Sequence, residues 1–175
     1  MSDWIGNIYK LIEAGADESK IKQWIKDTKD IDSTNDEGKS PLHIAAENNQ
    51  LSISKLLIKN GANISKRDLK EWTPLHCAAA RSHFKYCEYL ISLKANIAIE
   101  NNEKETALFL LIKNGEKYIH DKDQFKLIQH FCKNLPSFNL NIHDESVLHI
   151  ACQKSILSVV KMLVDAKVDT NQVTK

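Results

Sequence analysis

The sequence predicts an all-α protein, a solenoid of short antiparallel helix pairs stacked side by side. Two observations carry this. One signal recurs along the chain, as "GKSPLHIAAE" at 38–47, "EWTPLHCAAA" at 71–80, "KETALFLLIK" at 104–113 and "DESVLHIACQ" at 144–153. Its hydroxyl residues Ser40, Thr73 and Thr106 are 33 residues apart, and Ser146 follows after 40, a fixed period that marks a repeat architecture. Each signal is also followed, after a short turn, by a second apolar run with helical spacing.

The first helix of each pair is read from its start. A hydroxyl residue ahead of a helix accepts a hydrogen bond from an orphan amide of the first turn. Proline then fits the first helical position, where its missing N–H costs nothing; Pro41 and Pro74 follow this rule, while Ala107 and Val147 take the place in later copies. Leu42, Leu75, Leu108 and Leu148 come next and face inward. His43, His76, Phe109 and His149 follow, and then small residues such as Ala45–Ala46 and Ala78–Ala79, which let neighbouring helices approach closely. The second helices carry Leu51, Ile53, Leu56 and Leu57, then Phe84, Cys87, Leu90 and Ile91, and finally Leu157, Val160, Leu163 and Val164. Gly61 reads as a left-handed C-cap. Lys94 and Lys167 stand in its place later, so those ends are expected to be strained or closed differently.

These residues resemble the ankyrin repeat, a unit of hairpin, inner helix and outer helix, and the resemblance covers nearly the whole chain. It implies L-shaped units whose hairpins project from the stacked helix pairs. One domain, 1–175, is expected to hold about ten helices. Residues 1–34 form an N-terminal cap, degenerate in sequence, with Asn7 as its capping residue. Repeats follow at 35–67, 68–100, 101–141 and 142–175. In the fourth, "GEKYIHDKDQ" inserts one to two helical turns; both helices are expected to be longer than their neighbours, with Tyr118 and Ile119 packing the insert down. The fifth, truncated repeat shows no polar replacement of its stacking residues, and "TNQVTK" reads as the opening of another hairpin. That pattern fits a chain that continues, or an end that meets a partner; the first reading is preferred.

Composition narrows the function. Charged residues make up 27% of the chain and balance to +1, with Arg67 and Arg81 the sole arginines. No global field draws nucleic acid or an anionic membrane, and few bidentate phosphate clamps are available. The N-terminus is no secretory signal, and "TALFLLI" is far too short to span a bilayer. The cysteines Cys77, Cys87, Cys132 and Cys152 form no C-x-x-C pair and read as small buried hydrophobes in a reducing cytosol. His43 and His76 occupy equivalent sites in helices about 8–10 Å apart, too far to share one zinc; their rings are expected to bond backbone near the hairpins. His120, His130 and His143 show no metal-ligand spacing. Nucleophile-elbow, phosphate-loop and dinucleotide motifs are missing too, so no catalytic residue, metal or cofactor is assigned.

What remains is surface. The resemblance implies that a partner protein docks on the hairpin tips and inner-helix face. Those positions are Asp36, Glu37, Lys39, Glu47 and Asn48 in the second repeat, and Leu69, Lys70, Trp72, Ala80 and Arg81 in the third. The fourth supplies Asn102, Glu103, Glu105, Lys113 and Asn114, and the fifth Glu145, Gln153 and Lys154. Trp72 stands out, since tryptophan and arginine are enriched where binding energy concentrates. Its alternative is structural, an indole folded onto the adjacent hairpin or onto Arg67. Tyr86, Tyr89 and His83 offer a lesser surface on the outer helices. The expected function is non-catalytic protein recognition by a cytoplasmic monomer or part of a longer chain. Its rival is a targeting or regulatory module of a larger enzyme or a secreted bacterial effector, acting in the host cytosol, with the catalytic domain beyond residue 175. A lipid- or nucleic-acid-binding module is disfavoured by the near-neutral charge.

Overall fold

The computed structural model describes residues 3–15, 17–115, 122–135 and 141–166. These form α1 (Asp3–Glu13), α2 (Glu18–Asp27), α3 (Pro41–Glu47), α4 (Leu51–Lys59), α5 (Pro74–Ala80), α6 (Phe84–Ser92), α7 (Ala107–Asn114), α8 (Lys122–Asn134), α9 (Val147–Gln153) and α10 (Leu157–Asp165). The odd-numbered helices stack in one inner row, each touching the next, and the even-numbered ones form an outer layer. Helices of seven to nine residues are too short to persist alone in water. They hold because each pair shelters its neighbours' apolar faces.

Alanines decide how closely the inner row packs. Ala45, Ala46, Ala78 and Ala79 are fully buried, between leucines that fill the gaps. One core cluster joins Ile8, Ile12, Ile21, Leu42, Ile53 and Leu57; a second runs from Leu75 through Tyr86, Leu90, Leu108 and Phe131 to Leu163. Each such large side chain contributes roughly 1.5–3 kcal/mol of burial free energy.

Several sequence expectations meet a correction here. Asn7 lies inside α1, which begins at Asp3, because the apolar spacing of the first segment already runs upstream of it. Tyr86 offers no outer surface: it is fully buried and its hydroxyl bonds the buried Ser54 hydroxyl across adjacent repeats. On α10 the buried residues are Val159 and Leu163, whereas Leu157 is 79% exposed and Val164 is exposed. Leu157 matches Leu51 and Phe84, which are partly buried against the neighbouring core. Cys77, Cys87 and Cys132 are buried, but Cys152 is exposed near the end of α9. In the fourth pair α8 spans 13 residues against 9 in α4, α6 and α10, and α7 has 8 against 7 in α3, α5 and α9. Tyr118, Ile119, His120, Lys167 and "TNQVTK" lie outside the described residues.

The capping logic is realised in atoms. The amides of Ser40, Thr73 and Ser146 donate to Nδ1 of His43, His76 and His149 at 3.1, 3.2 and 3.0 Å. An Nδ1 that accepts places the ring proton on Nε2. That proton reaches the next repeat: His43 Nε2 donates to the Trp72 carbonyl at 3.0 Å, and His76 Nε2 to the Glu105 carbonyl at 3.2 Å. His43 and His76 therefore tie α3 and α5 to the hairpins that follow them. Lys94 closes α6 with φ 65, in the left-handed region that Gly61 occupies after α4 with φ 96.

Candidate functional site

The hairpin tips are built by one side chain each. Asn35, Asp68, Asn101 and Asn141 recur with the capping residues' spacing, and each Oδ1 accepts the amides two and four residues on. At Asp68 these are Lys70 and Trp72, both at 2.8 Å. This Asx-turn chemistry went unread in the sequence, although the period of the four residues could have disclosed it. Backbone bonds then link tip to tip: Leu69 N donates to Glu37 O, Asn102 N to Lys70 O, and Ile142 N to Glu103 O. Gly38 permits the first of these. Its φ is 75, and a Cβ there would sit 2.7 Å from the Leu69 amide nitrogen. The tips thus form a pre-arranged rim.

Beside the rim, between tips and inner helices, lies a cleft of about 550 Å³. Its lining includes Asp36, Glu37, Lys39, Glu47, Leu69, Lys70, Trp72, Ala80, Arg81 and Asn114 among the positions read from sequence. Asp68 and Cys77 complete it; neither is among the contact positions expected from sequence, since both are buried and owe their place to the fold. Asn102, Glu103, Glu105 and Lys113 are not part of this lining. Leu69 is 74% exposed at the tip. The Trp72 indole is half-buried, with its ring centroid 6.3 Å from that of His76. Arg67 makes an ion pair with Glu71.

Charge is arranged by repeat. Lys39 reaches Glu37 at 2.7 Å and Glu47 at 2.8 Å, joining a tip to the end of α3. Burial opposes the Lys39 charge, but the bonds to the two carboxylates outweigh it and raise its pKa. Two repeats on, the polarity is reversed: Lys113 at the end of α7 bonds Glu105 at 2.7 Å, and this bond raises the Lys113 pKa. Glu105 is a correction. Only 2% of its side chain is exposed, and its second oxygen accepts from Asn101 at 3.1 Å. It is therefore a brace within the fourth hairpin, not a contact surface. Between these bridges the equivalent positions are Trp72 and Ala80. Where its neighbours carry an ion pair, the third repeat carries an indole and a methyl group, both in the cleft lining.

Other candidates carry less. His83 spends its ring on Nε2 donating to the Glu47 carbonyl at 3.0 Å, and Tyr89 is partly buried with Lys55 over its ring. Among the described residues no group of His, Cys, Asp and Glu is placed to hold a metal ion, and no helix is long and apolar enough to cross a membrane.

Two family models match the chain. One, described as ankyrin repeats in three copies, covers residues 10–101; another, described as an ankyrin repeat, covers residues 143–175. Between them lie α7 and α8, the pair with the longest outer helix. A comparison with curated proteins returns no match.

Proposed function

Since the chain belongs to the ankyrin-repeat family, whose members are in general protein-interaction modules, we propose that it binds a partner protein in the groove between hairpin tips and inner helices, without catalysis, and that the Trp72 cleft is the centre of that surface. The observation that carries this reading is the break in charge pattern at the third repeat. A half-buried indole and Ala80 lining one cleft, flanked by ion-paired repeats, make a concave apolar spot with a polar rim, the anatomy of an interface core. The rim is held by side-chain and backbone bonds, so little ordering entropy opposes docking. A cytoplasmic setting belongs to the same reading and accords with four free thiols, three of them buried.

The test is differential capture with wild type and Trp72→Ala, each checked by thermal melting. The Trp72 carbonyl keeps its bond from His43 in the variant, so the melting temperature is expected to shift by only a few degrees. Proteins retained by wild type should be lost from Trp72→Ala at equal folded concentration. Unchanged capture, or a collapse in melting temperature, would defeat the assignment.

A further inference from the structure

Resting on the reading of the Trp72 cleft as the docking site, we infer that its occupant is a polypeptide segment that sets one large apolar side chain beside a carboxylate. The apolar part follows from comparing three repeats position by position. The tip residue and the residue eight places on, at or near the end of the inner helix, are Lys39 and Glu47, Trp72 and Ala80, and Glu105 and Lys113. The outer two pairs are salt bridges of 2.8 and 2.7 Å, and the middle pair is apolar. The apolar floor is thus one repeat wide, with the Lys39–Glu47 bridge in the cleft lining on one side and the Glu105–Lys113 bridge in the repeat that follows. It suits a single side chain and not a continuous apolar stripe.

The carboxylate follows from which charges are already committed. Of the four lining acids, Glu37 and Glu47 are held by Lys39, Asp68 accepts two backbone amides, and Asp36 makes no ion pair among the described residues. Lys70 and Arg81 line the same cleft, are exposed, and make no ion pair among the described residues. Their presence at this repeat is particular: Lys70 stands where the neighbouring tips carry Glu37 and Glu103, and Arg81 where the neighbouring inner helices end in Asn48 and Asn114. Two cations beside an apolar floor offer charge-assisted donors, and the Arg81 guanidinium can engage a carboxylate through two parallel bonds. A phosphate group fits less well. Asp36 and Asp68 line the cleft as well and repel a dianion more strongly than a single negative charge.

The experiment pans a random dodecamer peptide library on phage against the full chain, then measures synthetic copies of the enriched peptides by calorimetry. Enriched sequences should carry Asp or Glu within two residues of Leu, Ile, Met, Phe or Trp. Replacing that acid with Gln, or using Arg81→Gln, should weaken binding by about tenfold, the scale of one charge-assisted hydrogen bond; Lys70→Gln should act in the same direction. Both cations are exposed and free of ion pairs among the described residues, so the variants should melt with wild type. Peptides sensitive to Trp72→Ala but without an acid would overturn the inference and leave the cleft as docking site. Tighter binding of a phosphoserine copy than of the glutamate peptide would also overturn it. Binders indifferent to Trp72→Ala, or no enrichment at all, would sink the cleft reading and this inference together.

Discussion

Acid should loosen this solenoid before its carboxylates are titrated, and His76 is the reason. Burial holds the imidazole neutral and lowers its pKa from 6.5 to about 4, against weaker opposing bonds to the Glu105 and Ile99 backbone. Protonation would also place a hydrogen on Nδ1, where the Thr73 amide already donates at 3.2 Å. A folded pKa below the unfolded one means that the unfolded chain takes up the proton first. The stabilisation is therefore complete above pH 6.5 and is lost progressively as pH falls from there toward 4. At pH 5 the unfolded histidine is one and a half units below its pKa while the folded one is still largely neutral, so His76 alone removes about 2 kcal/mol. His43, lowered by burial in the same way, adds to the loss. The assay is urea unfolding followed by circular dichroism at pH 8 and pH 5, for wild type and His76→Phe. Phe109 occupies the equivalent place in α7, where Thr106 Oγ1 still caps its amide at 3.3 Å, so the fold accommodates this ring. The variant should start less stable, having lost the bond to the Glu105 carbonyl, yet fall by about 2 kcal/mol less than wild type between the two pH values. Parallel pH slopes for the two proteins, or a His76 resonance titrating near 6.5 by NMR, would falsify the reasoning.

Further outcomes follow from single positions. Lys94→Gly relieves a side chain held at φ 65 on an exposed helix end and should raise stability by about 0.5–1 kcal/mol in the same urea assay. Gly38→Ala introduces both a positive-φ penalty and a Cβ 2.7 Å from the Leu69 nitrogen; it should cost about 1–2 kcal/mol and speed amide exchange at Leu69. With Ellman's reagent, one thiol per native chain, Cys152, should react quickly, and the other three should react only on unfolding, because Cys77, Cys87 and Cys132 are buried. A second fast thiol would contradict the packing described for α5, α6 and α8.

The repeat, its helices and its caps were legible in the sequence because they depend on contacts within a few residues. A hydroxyl residue bonds the amide three places on, proline suits the first turn, and apolar side chains recur every three or four positions. Ser40, Thr73, Thr106 and Ser146 accordingly precede the helices they were expected to precede. Most of the positions lining the cleft could be named for the same reason, since a stacked repeat carries each position to the same face. The tertiary structure alone decided how those positions are used. The 33-residue period makes Glu105 equivalent to Trp72, yet Lys113 and Asn101 draw its carboxylate inward. Tyr86 reads as one more aromatic on an outer helix until Ser54 of the preceding repeat meets its hydroxyl. Leu157 fits the helical spacing but not the buried face, because burial depends on what the neighbouring pair covers. Local bonding is written along the chain, whereas burial and ion pairing belong to residues brought together across repeats, and only packing selects those partners.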